Sequence, residues 1–251
     1  MFSLSGKTAL ITGSSRGLGF VIARGLAKAG AMIILNGRDD TSLKQAADEL
    51  TSEGLNVSFT VFDVTNEEQI RDKVNLIESQ TGGIHILVNN AGIHKRRTLA
   101  DMSFEEWQSV IDINLTGAFL TAREVVKGMI NRKNGKIINI CSLMSELGRE
   151  TTGNYSSSKG GLKMLTRAMA VEWAKYNIQV NGIGPGYFLT ELTQPLASDP
   201  EFDSWLKRRT PAGRWGNPEE LVGTAVFLSS DASSFINGQI IYIDGGFLAS
   251  V

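Results

Sequence analysis

With one cysteine and two histidines in 251 residues, the chain has almost none of the side chains that build disulfides and transition-metal sites. The lone thiol, Cys141, excludes an internal disulfide and fits a reducing compartment. It stands in the apolar run Ile137-Ile138-Asn139-Ile140-Cys141, where a buried structural thiol is the expected state. His85 and His94 cannot assemble a metal centre by themselves, and no Cys/His spacing of the zinc-binding kind occurs, so no metal is expected. An excess of one charge is missing too. The 25 basic and 26 acidic side chains leave a net charge of −1, which creates no field for nucleic acid or an anionic membrane. The short runs Lys95-Arg96-Arg97 and Lys207-Arg208-Arg209 fit solvated faces, and no basic stripe is interleaved with aromatics as in a nucleic-acid binder. No apolar run approaches the ~18 residues of a membrane span, and Met-Phe-Ser-Leu-Ser-Gly-Lys runs into a strand without a signal-peptide pattern. A cytoplasmic location follows as the expectation, with neither nucleic acid nor membrane as partner.

What is present is an alternation of short apolar runs with longer amphipathic ones. Strands are expected at residues 8–11, 32–35, 57–62, 84–88, 136–141, 178–183 and 240–243. Helices are expected at residues 20–29, 41–52 (opened by Asp40 or Thr41), 66–80, 103–115, 118–131 and 154–175. After an irregular stretch to Asn217, a further helix begins with Pro218 in its first turn and reaches Ser229. Strands buried on both faces and separated by helices imply βαβ crossovers and a covered parallel sheet. The expected fold is therefore α/β: one Rossmann-type domain over residues 1–251, a doubly wound seven-stranded parallel sheet with helices on both faces. No linker, solenoid repeat or low-complexity tract interrupts it.

Between the first strand and first helix lies Thr12-Gly13-Ser14-Ser15-Arg16-Gly17-Leu18-Gly19. In that position Gly13 permits a tight turn, Gly17 lets the backbone approach a pyrophosphate at the helix N-terminus, and Gly19 allows close helix–strand packing. Ser15, Arg16 and Leu18 share the loop and count as cofactor-binding candidates. At the end of the second strand an acidic residue normally receives the ribose 2′-hydroxyl; this chain has Asn36-Gly37-Arg38. Arg38, with Arg16, can clamp a 2′-phosphate through its planar fork, which favours NADP(H) with NAD(H) as the weaker alternative. The competing reading is two solvated arginines, with Asp39 or Asp40 serving the ribose. Asp63, with Val64 beside it, closes the third strand where an adenine amino group would sit; alternatively it is a turn residue before the helix. Asn89-Asn90-Ala91-Gly92 ends the fourth strand, where ligands of such sheets bind.

Tyr155 and Lys159 are four apart at the start of a long helix, a spacing that stacks them on one face. A tyrosine titrates near 10, and a nearby ammonium favours the phenolate. Lowering it by two or three units asks ~3–4 kcal/mol of Lys159, the cofactor charge and local donors together. Ser142, just past the fifth strand, can donate to a substrate oxygen. Taken alone, Tyr-x-x-x-Lys is a common surface pair; in this order, with the glycine loop and Asn89-Asn90-Ala91-Gly92, it is poorly explained by chance.

That ordered set resembles the short-chain dehydrogenase/reductase family over essentially the whole chain. The resemblance implies Tyr155 as acid/base, Lys159 holding the nicotinamide ribose and depressing the tyrosine, and Ser142 orienting the carbonyl oxygen. It also implies that Asn114 holds a helix bulge and a relay water, and that Pro185, Gly186 and Thr190 secure the carboxamide. Ile138-Asn139-Ile140-Cys141-Ser142, Ser145-Glu146-Leu147-Gly148-Arg149, Asn181-Gly182-Ile183-Gly184-Pro185-Gly186-Tyr187-Phe188 and Arg208-Arg209-Thr210-Pro211-Ala212 look like the branch of the family that interconverts D-gluconate and 5-keto-D-gluconate. Gly184 departs from the slightly larger residue many relatives carry there, which puts nothing catalytic in doubt. A sugar-acid substrate needs a cation for its carboxylate, and Arg149, Arg96 and Arg97 are the candidates. Glu146 is expected to hold a polyol hydroxyl or pair with an arginine. Tyr187 and Trp215 either enclose the sugar chain or pack a loop. Residues 189–216 form a candidate substrate lid. A 3-oxoacyl-thioester reductase or another sugar-acid or polyol dehydrogenase of the family is the alternative substrate reading. An inactive dinucleotide-binding regulator is the alternative from outside enzymology, and the presence of both Tyr155 and Lys159 speaks against it. The family resemblance further implies a homotetramer, and residues 119–129 have the broad apolar face such contacts use.

Overall fold

The computed structural model describes every residue from 1 to 251 except Leu192, which falls inside the expected lid segment and lies outside the described residues. In chain order the main elements are β1 (Thr8–Ile11), α1 (Gly17–Lys28), β2 (Met32–Gly37), α2 (Asp40–Ser52), β3 (Val57–Val61) and α3 (Glu67–Thr81). Then come β4 (Ile86–Asn89), α4 (Phe104–Ile111), α5 (Gly117–Arg132), β5 (Gly135–Ile140), α6 (Gly153–Trp173) and β6 (Ile178–Pro185). The last are α7 (Gln194–Ala197), α8 (Pro200–Arg209), α9 (Val222–Ser229) and β7 (Ile240–Ile243).

Alternate side chains of a strand leave it in opposite directions, and in β1 both directions are apolar. Ala9 and Ile11 join the core under α1, α2 and α9, whereas Leu10 joins the core under α3, α5 and α6. Ile33 and Leu35 against Ile34 in β2, and Ile138 and Ile140 against Ile137 in β5, divide in the same way. This double burial is what makes the sheet parallel and the helices two-sided. The seven strands run in the order β3-β2-β1-β4-β5-β6-β7, all pairings parallel, as expected. The order reverses between β1 and β4, so a crevice opens beyond their carboxyl ends, where open α/β sheets bind ligands.

Three expectations about local structure need correction. The first helix begins at Gly17, three residues earlier than expected, so two of the loop's glycines lie in its first turn. Asp39, not Asp40 or Thr41, opens α2: its carboxylate accepts the Ser42 N–H at 2.7 Å and the Ser42 hydroxyl at 2.5 Å. The irregular stretch before Asn217 contains α7 and α8. Asp199 caps α8 through the Glu201 and Phe202 N–H groups, with Pro200 at its first position; proline there starts a helix instead of ending one. In addition, the two helices expected on either side of residue 116 are one helical run. A π-turn over Asp112–Thr116 joins α4 to α5, the kind of bulge often found at functional sites.

Candidate active site

The glycine loop is tied to the ends of β2 and β4 by buried hydrogen bonds. The Ser14 hydroxyl donates to Ile11 O at 2.7 Å and accepts the Asn36 N–H at 3.0 Å. Thr12 Oγ1 accepts the N–H groups of Asn90 and Ala91, both at 3.0 Å, while Asn90 Nδ2 donates to Thr12 O at 2.9 Å and Gly13 O at 2.8 Å. Gly13 has a φ of +62°, and a Cβ there would meet Ala91 Cα at 2.8 Å. Gly17 is also left-handed at +61°, but a Cβ on it would meet nothing within 4 Å, so its backbone faces open space. Gly19 leaves no room for a side chain against Asn90 and Gly13. The first turn of α1 carries no acidic residue and no side-chain cap. Its free N–H groups and the helix dipole therefore form a ready anion site. The arrangement fits a dinucleotide pyrophosphate, with Ser15, Arg16 and Leu18 around it.

Arg38 extends from the end of β2 and is exposed, with Nη1 3.8 Å from Asp63 Oδ2. Asp39, the alternative for the ribose, uses its Oδ1 as the cap of α2. Asp63 Oδ1 accepts the Thr65 N–H at 2.9 Å and hydroxyl at 2.8 Å, so the turn role is realised; Val64 follows it, buried. Gly92 lies beside Asn114, 3.3 Å from its Oδ1 to a notional Cβ. Across the crevice, Pro185 ends β6, Gly186 N–H donates to Ile243 O at 2.8 Å, and Thr190 opens the following turn through Thr193.

Tyr155 lies in the first turn of α6 and Lys159 one turn on, as the spacing required. Lys159 is buried, its Nζ donates to Ile140 O at 2.6 Å, and it stands 5.7 Å from the centre of the Tyr155 ring. Burial lowers the Lys159 ammonium to about 8. Burial also pushes the Tyr155 phenol up, against the pull of a hydrogen bond with the Ser142 side chain. Among the chain's own groups, burial is the largest influence on the phenol; the lowering expected of Lys159 is one made together with the cofactor charge. Ser142 follows β5 and accepts the Met144 N–H at 3.2 Å, which fixes the oxygen beside Tyr155. Asn114 occupies the π-turn, buried, donating to Ile93 O at 2.9 Å and to Ser158 Oγ at 3.1 Å while accepting the Ile93 N–H at 2.8 Å.

At the rim, Arg149 donates to the Tyr187 hydroxyl at 3.3 Å and lies over the rings of Phe202 at 4.7 Å and Trp205 at 5.7 Å. Burial, then the charge of Arg149, lowers Arg96. Arg97 is turned away into an ion pair with Glu106 at 3.1 Å, which corrects its candidacy for the carboxylate. Glu146 pairs with Lys163 and accepts the Tyr242 hydroxyl at 2.6 Å. The expected arginine partner is therefore a lysine, and Glu146 ties α6 to β7 instead of facing a sugar. Trp215 is buried, with Nε1 donating to Asp203 Oδ1 at 2.8 Å; it packs α8 and does not line the crevice. One residue was missed. The His94 ring lies 4.6 Å from that of Tyr155, and its position just after Asn90-Ala91-Gly92, at a ligand-binding strand end, was the available signal.

A nucleotide crevice, a phenol with a buried lysine one turn away and a serine against the phenol define a nicotinamide-dependent oxidoreductase fold and site. The chain matches the family described as Enoyl-(Acyl carrier protein) reductase over residues 13–248. It is 51% identical over 251 residues to the 5-keto-D-gluconate 5-reductase of Escherichia coli (strain K12), covering 100% of this chain and 99% of that one. It is 50% identical over 253 residues to the 2-dehydro-3-deoxy-D-gluconate 5-dehydrogenase of Formosa agariphila, covering 100% and 96%. Its fold matches, with a TM-score of 0.97 and 48% identity, the crystal structure of a gluconate 5-dehydrogenase from Burkholderia cenocepacia J2315 in complex with NADP and tartrate, covering 100% of this chain and 98% of that one. The chain belongs to the short-chain dehydrogenase/reductase family.

Proposed function

We propose that the chain is an NADP(H)-dependent oxidoreductase that interconverts D-gluconate and 5-keto-D-gluconate: D-gluconate + NADP⁺ ⇌ 5-keto-D-gluconate + NADPH + H⁺. The observation that carries the substrate assignment is the pair Arg96 and Arg149, whose charges both reach the His94 ring packed on Tyr155 and which form no ion pair with an acidic side chain among the described residues. Two guanidinium groups there suit the carboxylate of a sugar acid. A long acyl thioester, with its charge far from the carbonyl, gains nothing from them.

When bound, NADPH supplies the hydride. It would be held by Gly13, Ser15, Arg16, Gly17, Leu18 and Gly19 at the pyrophosphate and by Arg38 at the 2′-phosphate. Asp63 and Val64 would lie at the adenine, Asn90, Ala91 and Gly92 along the crevice floor, and Lys159, Pro185, Gly186 and Thr190 at the nicotinamide end. Tyr155 gives its proton to the C5 oxygen in reduction and takes it back in oxidation. Ser142 donates a hydrogen bond to the same oxygen, and Asn114 holds the bulge and the water that returns the proton. Arg96 and Arg149 receive the carboxylate, and Tyr187 orders Arg149.

The same reading takes the chain as one cytoplasmic catalytic domain with residues 189–216 as the substrate lid, assembled as a homotetramer. An open groove of about 570 Å³ between α5 and α6, with Phe119, Met164 and Leu165 on its walls, supports that assembly. The test is the fall in reduced-nicotinamide absorbance with 5-keto-D-gluconate, run beside NADH, acetoacetyl thioester and fructose. Turnover of 5-keto-D-gluconate with NADPH, abolished by Tyr155→Phe, is the expected result. Turnover of the thioester alone overturns the sugar-acid reading while keeping the tyrosine.

A further inference from the structure

Asn114 holds both backbone groups of Ile93, and four residues on, the Arg97 N–H donates to Thr151 O at 3.1 Å. Thr151 itself has a φ of +66°, a left-handed conformation that β-branched residues rarely adopt. Between these anchors the chain has no regular structure, yet His94 is set in one place. Its ring centre is 4.6 Å from that of Tyr155, with the planes at 40°. Its Nε2 is buried and has no hydrogen-bond partner among the described residues. A buried ring nitrogen left unpaired is costly, and a native structure that keeps one calls for a partner from outside the chain.

The neighbours define that partner. Burial, then the charges of Arg96 and Arg149, hold the imidazole at about 4, so near neutral pH it is uncharged, with one donor and one acceptor. A carboxylate is better served by the two arginines, and the reacting oxygen by Ser142 and Tyr155. What remains against the Tyr155 ring is a group that both gives and takes a hydrogen bond, which is a hydroxyl on the carbon beside the reacting one. 5-Keto-D-gluconate presents such a group on either side of its ketone, at C4 and C6.

We propose that His94 is a specificity-determining residue whose neutral ring bonds a hydroxyl adjacent to the reacting carbonyl, so that the site selects α-hydroxy ketones. The proposal rests on the sugar-acid reading above. The experiment compares kcat/KM for 5-keto-D-gluconate with that for 5-oxohexanoate, which keeps the carboxylate and the C5 ketone and lacks every hydroxyl. His94→Phe, which preserves the packing on Tyr155, lowers the ratio of the two by about 10- to 100-fold, the scale of losing one partner of a buried polar group. His94→Gln, which keeps a neutral donor and acceptor, restores most of it. It also leaves the pH profile between about pH 5 and 8 unchanged, because a neutral ring has no titration to contribute there. An unchanged ratio in His94→Phe, whether through equal loss on both ketones or no loss on either, overturns the proposal and makes His94 a support for Tyr155 or a packing residue. Unaltered NADPH binding and melting temperature separate these outcomes from misfolding. Failure of the unsubstituted enzyme to reduce 5-keto-D-gluconate is a different result: it overturns the function reading, and this inference with it.

Discussion

Nη1 of Arg149 donates to the hydroxyl of Tyr187 at 3.3 Å, joining the turn before α6 to the segment after β6 across 38 residues of chain. The same guanidinium is covered by Phe202 and Trp205 of α8, and Tyr187 packs on Phe202, Trp215 and Phe247. A cation stacked on aromatic faces keeps its in-plane N–H groups free for a carboxylate. The proposed carboxylate site and α8 therefore share one side chain.

Arg149→Met keeps the aliphatic stem and removes the charge and fork. We expect KM for 5-keto-D-gluconate to rise about 10- to 100-fold with a smaller change in kcat, since the carboxylate is bound alike in ground and transition states. Arg149→Lys recovers little, because an ammonium neither stacks nor forks. Steady-state kinetics with fructose as the uncharged control checks the assignment; equal losses on both substrates would assign Arg149 to packing.

We expect cofactor choice to rest on Arg38, exposed at the end of β2 with its Nη1 3.8 Å from Asp63 Oδ2. Arg38→Ser is expected to lower kcat/KM for NADPH by about 10- to 100-fold, the scale of a lost charge-assisted pair, and to leave NADH use nearly as it was. Initial rates with the two cofactors at saturating sugar acid decide it. A parallel fall with NADH would move Arg38 from phosphate recognition to fold support.

The parallel sheet, its seven strands and the glycine loop were legible because double burial and φ-permissive positions leave direct marks on residue type. Tyr155, Lys159 and Ser142 were legible as an ordered set. The tyrosine's electrostatics were not. Proximity of an ammonium is visible as a four-residue spacing, but desolvation depends on what covers both groups, and here it is the largest influence on each. α8 was hidden because Pro195, Pro200 and Pro211 look like breakers until Asp199 is recognised as a cap. Glu146 was misassigned because its partners, Lys163 and Tyr242, come from two other elements. For His94 the sequence offers only its place just after Asn90-Ala91-Gly92; the unpaired nitrogen and the stacking on the Tyr155 ring appear only in the structure.

Titration of the Tyr155 phenol sets the pH behaviour of the two directions. Reduction uses the acid form of Tyr155, which burial favours, so its rate holds across neutral pH and declines only as the phenol ionises. Oxidation uses the phenolate and climbs with pH over the same range. Initial rates in both directions between about pH 6 and 10 test this, and an oxidation rate that falls with rising pH would remove Tyr155 as the base.

Lys136 carries a second buried ammonium, 6% exposed at the start of β5, with Ser233 Oγ at 3.2 Å as its partner. Burial lowers it to about 8 from 10.5, with Asp231 opposing. Between those two values the unfolded chain binds the proton and the folded chain does not, so this group makes stability rise with pH through that window. Below about 8 both states are protonated, and the native state bears the full desolvation cost of the ammonium. Lys136→Met removes that cost. We expect it to stabilise the fold by ~1–3 kcal/mol at neutral pH, with the gain shrinking as pH passes from 8 toward 10.5. Denaturant melts of both proteins at neutral and alkaline pH provide the comparison. A gain that stays constant with pH would mean that the substituted thioether side chain simply packs better and that desolvation of Lys136 contributes nothing.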